Sequence, residues 1–209
     1  MKDMDDSPED WGFFILSQNP VEHQRGCVLW NELLVGSAHR FWSYVRTLET
    51  NDAARLGQAL GFAQIDPSKA FYCAPSQPDE AQILSGLSWL SGYGLEAARW
   101  SSWVVHHLKH NDSDEVVGVA AIALARLHGP HQGYRQLILE QLELDGMPVR
   151  RHLLALAALE MGEPRYEELS LYKRALRDSP PDLLEAISNI AQEYQIPLED
   201  LVPIEQDGE

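Results

Sequence analysis

The chain has 209 residues, with 32 Asp plus Glu against 16 Lys plus Arg and a formal net charge of −16. So acidic a surface is repelled by phosphate, which argues against general nucleic-acid binding. No apolar run approaches the roughly 20 residues that span a bilayer, so no membrane insertion is expected.

In chain order, residues 1–10 carry five acids and one lysine, a net of −4, and read as an acidic, flexible tail. The start lacks the basic and apolar regions of a signal peptide. Cys27 and Cys73 form no CxxC pair, and the expected compartment is a reducing cytoplasm with both thiols free. Residues 11–78 read as a divergent helical region. Within it, residues 26–49 suit one long helix with Trp30, Leu33, Leu34, Phe41, Tyr44, Val45 and Leu48 apolar. Thr50-Asn51-Asp52 reads as a break and a new cap, residues 53–63 as a second helix, Asp66-Pro67-Ser68 as an opening, and 72–79 as a loop.

From residue 79 the chain is periodic. Asp79, Asp112, Asp145 and Asp178 are spaced by 33 residues, each at or just before an amphipathic stretch. Asp caps a helix or favours its positive N-terminus. Pro148, Pro180 and Pro181 occupy opening positions where a missing N–H costs nothing. Gly129 and Gly162, also 33 apart, suit helix ends. Leu156 falls mid-stripe in the Asp145 stretch. A second apolar pattern fills each gap, at Trp100-x-x-Trp103, Tyr134-x-x-Leu137 and Tyr166-x-x-Leu169. The pattern predicts an all-α fold, an α-solenoid of helix pairs over 79–196 with a divergent helical N-terminal cap, then an acidic tail at 197–209.

Asp145 with Val149-Arg150-Arg151, the alanine-rich run, Gly162-Glu163-Pro164-Arg165 and Leu176-Arg177-Asp178 resemble HEAT-like repeats, in particular those of phycobilin-lyase-type proteins. The resemblance implies that the helices after each Asp form the inner row of a concave face. It also implies an alternative function, as a bilin or chromophore lyase-like enzyme or its partner subunit.

Few constellations carry chemistry. His106 and His110 share a helix side and are a zinc candidate with Asp112 or Asp114; a solvated helix end is the preferred reading, and neither metal nor cofactor is expected. His128-Gly-Pro-His131 reads as a plain turn, and His152 as a partly buried residue. No nucleophile elbow, phosphate loop or dinucleotide fingerprint occurs. Glu167 and Glu168 read as adjacent surface carboxylates, and Arg150, Arg151, Lys173, Arg174 and Arg177 as surface charge. Six tryptophans lie in the first half, and Trp42, beside Phe41, is expected to point outward on its helix.

The expected function is a non-catalytic protein-binding module or adaptor, as in a bacterial secretion-system accessory or an immunity protein, with another, basic protein as partner. Its binding face is expected at Glu115, Arg126, Arg150, Glu160 and Glu185, with Trp42 and Trp89 as exposed aromatic anchors.

Overall fold

A computed structural model describes residues 14–15, 17–144 and 146–203. All regular structure among these residues is helical, with no strand. No described helix is long and apolar enough to cross a membrane. Asp145, Trp11 and the expected acidic tail at 1–10 lie outside the described residues. The chain divides into two compact units, 1–100 and 101–209.

The first unit opens with α1 (Pro20–Val45), which starts before the expected residue 26. Asn19 caps it by accepting from the Val21 N–H at 3.0 Å, and Pro20 takes the first position. Ser37, at φ −159° and ψ 57°, kinks the helix. Then come α2 (Thr50–Phe62), α3 (Ser68–Tyr72), α4 (Glu80–Tyr93) and a 3₁₀ helix at Gly94–Trp100. Asp79 caps α4 as expected, in a reciprocal box with Gln82. Gly94, at φ 76°, ends it.

An aromatic cluster fills this unit. Phe41 packs edge-on to Trp30, Trp42 and Trp89, with centroids 5.8, 4.8 and 5.0 Å away. The indole N–H of Trp42 donates to the Ala70 carbonyl at 2.7 Å, and that of Trp89 to Ile65 at 2.8 Å. Burial therefore leaves neither donor unpaired. Beside the cluster, α2 and α4 pack at backbone distance. A Cβ on Gly57 would fall on the Ser85 carbonyl oxygen, and one on Gly61 would lie 2.5 Å from the Trp89 oxygen.

The second unit contains α5 (Ser101–His110), α6 (Asp114–His128), α7 (Gln132–Glu143), α8 (Pro148–Glu160), a 3₁₀ turn at Tyr166–Glu168, α9 (Leu169–Ala175), α10 (Pro181–Glu193) and α11 (Leu198–Leu201). Within it α6 packs on α8 and α8 on α10, while α5 packs on α7 and α7 on α9. Like ends meet. At the starts of α6 and α8, Asp114 accepts from the Met147 N–H at 2.9 Å and from Arg150 at 3.2 Å. At the ends of α8 and α10, the Tyr194 hydroxyl donates to Leu159 at 3.2 Å. Two contacts, Asp114 to Met147 and Arg135 to Glu168, join residues 33 apart, so the sequence period is also a spatial one here.

Several boundaries and faces differ from expectation. Asp112 lies just before α6, and Ser113 caps the helix through the Val116 N–H. Asp178 sits at φ 60°, and Pro180 precedes α10. Leu156 is only half-buried, because the core side of α8 is taken by Leu154, Ala155, Ala158 and Leu159. Tyr166 is exposed in the 3₁₀ turn, and Tyr172 is the buried aromatic of that segment. The segment from 197 is not a free tail up to residue 203. Helix α11 packs on α9 with Leu201 buried, and residues 204–209 lie outside the described residues.

Candidate functional site

Helices α6 and α8 are enclosed on most sides, and each keeps one open stripe. On α6 it runs Glu115, Val119, Ile122, Arg126; on α8 it runs Val149, Leu153, Leu156, Glu160. The four-three-four spacing puts each set on one helix face. Val117, Ala120, Ala121 and Leu124 of α6, and Leu154, Ala155 and Ala158 of α8, are fully buried on the remaining faces. The stripes adjoin because Leu153 packs over Gly118, where even a Cβ would stand 2.6 Å from its Cδ1. The result is a half-exposed apolar strip with charges at both ends.

Of the five expected charged residues, three border this strip. Arg126 and Glu160 come together at one end. Burial raises the Glu160 carboxyl above its usual range, and the Arg126 charge opposes that rise. Glu115 stands half-buried at the other end. Arg150 is corrected: it is not a surface residue, because its guanidinium turns inward to Asp114 at 3.2 Å and Gln141 at 3.1 Å. Glu185 is exposed on α10, on the side away from buried Ile187 and Ala191. Trp42 and Trp89 are also corrected. Both are core side chains, since neighbours on two sides of α1 enclose Phe41 and Trp42 together and leave no exposed anchor.

A second group escaped the sequence. Arg135 of α7 is buried and grips Glu168 with two bonds of 3.0 and 2.6 Å; it also donates to the Tyr172 hydroxyl at 3.2 Å and the Ala158 carbonyl at 3.3 Å. Glu168 is therefore not the free surface carboxylate expected. Burial pushes its carboxyl up, but the Arg135 bonds outweigh that and hold it below its usual value. The available signal was the 33-residue separation of the pair. Above it, between α7 and α9, opens a cleft of about 600 Å³ lined by Gln136, Arg165, Glu167, Ser170 and Arg174 among others.

The histidines occupy the end of α5. The rings of His106 and His110 are 5.3 Å apart, but Asp114, one proposed third ligand, is engaged by α8. Among the described residues no three His, Cys, Asp or Glu side chains are grouped to hold a metal. His128 lies against the Tyr134 ring at 4.4 Å and meets the Ser101 hydroxyl at 2.5 Å, while His131 caps α7. His152 is buried and meets the Arg177 carbonyl at 3.2 Å.

His107 is buried against Trp103, with ring centroids 4.5 Å apart and, among the described residues, no hydrogen-bond partner for its Nε2. Burial, helped by His106, pulls its pKa from 6.5 down to about 4. A depressed histidine pKa means that the unfolded state takes up the proton first. Stability is complete above pH 6.5 and is lost as pH falls from 6.5 toward 4. Between about pH 7 and about pH 4.5, wild type should lose about 2 kcal/mol more than His107→Leu, measured by urea unfolding. Parallel losses in the two proteins would contradict this assignment.

No protein-family model, curated protein or solved structure matches this chain.

Proposed function

We propose that the chain is a non-catalytic protein-binding module, in which α6, α8 and α10 form the inner row of a short HEAT-like array. The observation that carries this reading is the open strip of Val119, Ile122, Leu153 and Leu156 between Glu115, Arg126 and Glu160. An apolar centre inside a charged rim is the composition of a protein-docking patch. The net charge of −16 favours a basic partner and speeds its approach, an effect that added salt weakens.

The test uses the purified chain as bait in a host-cell lysate, then titrates the captured protein. Leu156→Lys should lower affinity at least tenfold, an effect of about 1.4 kcal/mol or more, because it sets a charge in the centre of the patch. Its stem still covers apolar surface, so the melting temperature should change little. Gln136→Lys, at an exposed position of α7, should bind as wild type does. Equal affinity of Leu156→Lys and wild type would exclude this face.

A further inference from the structure

His23 and Cys27 stand one turn apart on the same side of α1. The Cys27 Sγ lies 3.6 Å from the His23 Nε2. The other ring nitrogen, Nδ1, lies 2.9 Å from the Ile15 carbonyl oxygen. A carbonyl only accepts, so Nδ1 carries the ring proton and donates it. The lone pair on Nε2 therefore faces the sulfur. Packing builds this orientation in. The backbone of residues 14 and 15 lies across α1 at Gly26, where a Cβ would stand 2.6 Å from the Ile15 nitrogen. The Ile15 side chain is buried, which anchors the carbonyl that holds the ring. His23 and Cys27 are both half-buried, so solvent still reaches them.

A sulfur and an imidazole nitrogen thus converge, and these are the ligand types that zinc takes. Their separation selects the geometry. Bonds of about 2.3 Å to sulfur and about 2.0 Å to nitrogen, set at a tetrahedral angle, put the two ligands about 3.5 Å apart. A linear two-coordinate ion with bonds of that length would need them about 4.3 Å apart. The observed spacing already matches the tetrahedral case. We propose that His23 and Cys27 form an open zinc site, with the Cys27 thiolate and the His23 Nε2 as its protein ligands and water in the other positions. The bond from Nδ1 to the Ile15 carbonyl is the outer contact that orients a metal-bound histidine and fixes its tautomer. The metal takes the place of the thiol proton, which leaves to solvent. Burial pushes the Cys27 thiol up, so that proton is present at neutral pH and affinity rises with pH.

Cobalt(II) titration of the full chain carrying Cys73→Ser tests the proposal, since Cys27 is then its only thiol. Circular dichroism checks that each variant keeps its helix content. A thiolate-to-cobalt charge-transfer band should grow to one ion per chain and be bleached by added Zn2+. His106 and His110 supply no sulfur, so they cannot give this band. Affinity should rise about tenfold between about pH 7 and about pH 8, because one proton is released. Adding His23→Gln should weaken cobalt binding at least about tenfold, and Cys27→Ser, with Cys73 restored, should show no band. In the unaltered chain, Zn2+ should slow alkylation of Cys27 at least about tenfold and leave that of exposed Cys73 unchanged. The proposal is overturned if no band appears by about 1 mM cobalt, or if His23→Gln binds as tightly as its parent. It is equally overturned if Zn2+ leaves the alkylation of Cys27 unchanged.

Discussion

Gly57→Ala should destabilise the N-terminal unit by about 3 kcal/mol or more, lowering the melting temperature of its unit by more than about 10 °C. The new methyl has nowhere to go. Its carbon would fall on the Ser85 carbonyl oxygen, and that oxygen belongs to the backbone of α4 and cannot rotate aside. The helices must separate, which loosens Leu56, Leu60, Leu84 and Leu87 together. Helix propensity alone predicts the opposite sign, since alanine favours a helix over glycine by about 1 kcal/mol. Gly36→Ala supplies the contrast, because none of the described residues lies within 4 Å of a Cβ there. Thermal melts followed by indole fluorescence suit the comparison, since Trp30, Trp42 and Trp89 lie in this unit's core. A Gly57→Ala protein as stable as wild type would show that α2 and α4 are farther apart than described.

Arg135→Leu should cost about 3–5 kcal/mol, because it leaves the Glu168 carboxylate buried without its cation. The side chains of Arg135 and Glu168 are only 10% and 13% exposed, so water cannot take over. Tyr172, whose hydroxyl is pushed well above the usual tyrosine range by burial, stays neutral and loses its Arg135 partner as well. Arg135→Lys retains the charge but not the two-pronged geometry, and should recover only part of the loss. Adding Glu168→Leu to Arg135→Leu should restore stability, since the stranded charge is gone; this coupling is read from a double-mutant cycle by urea unfolding. The Glu168 carboxyl is depressed by the pair, so its contribution is present above the ordinary glutamate value. It disappears as pH falls through the lower folded value. That acid-dependent part should shrink in Arg135→Leu, where the Arg165 N–H still donates to the carboxylate at 2.9 Å.

The helical nature of the chain and much of its punctuation could be read from residues alone. Asp79 and Gln82 sit three apart, the spacing of a capping box, and they form one. Gly129 ends α6 at φ 57°, the conformation that glycine tolerates best. Asp112 lies just before α6, as its spacing predicts, while Ser113 supplies the capping oxygen; local chemistry does not choose between two adjacent capping residues. The start of α1 was readable in Asn19-Pro20, a cap followed by a first-turn proline, but its apolar pattern begins only later.

Faces were harder than elements. Which side of a helix is buried depends on how many neighbours surround it, and periodicity reports only one stripe. Trp42 is buried because α3 and α4 enclose the end of α1 from two sides. Leu156 is half-open because alanines 155, 157 and 158 are what close packing of α8 requires. For the same reason the charged residues of the strip were partly found: Glu115, Arg126 and Glu160 border it, while Arg150 turns inward to an aspartate on another helix. Arg135 gave no sign of burial in its local sequence. Its carboxylate arrives from the next turn of the 33-residue period, and only the three-dimensional arrangement joins them.

Docking of another protein on the open strip of α6 and α8, as proposed, can be tested in place. Site-specific photo-crosslinking in the host cell tests this, with the photoreactive residue placed in turn at Val119, Ile122, Leu156 and, as the control on α7, Gln136. One discrete crosslinked protein should come from the three strip positions and none from Gln136, with yield falling as salt is raised in permeabilised cells. A crosslinked partner obtained from Gln136 but not from Val119, Ile122 or Leu156 would contradict it.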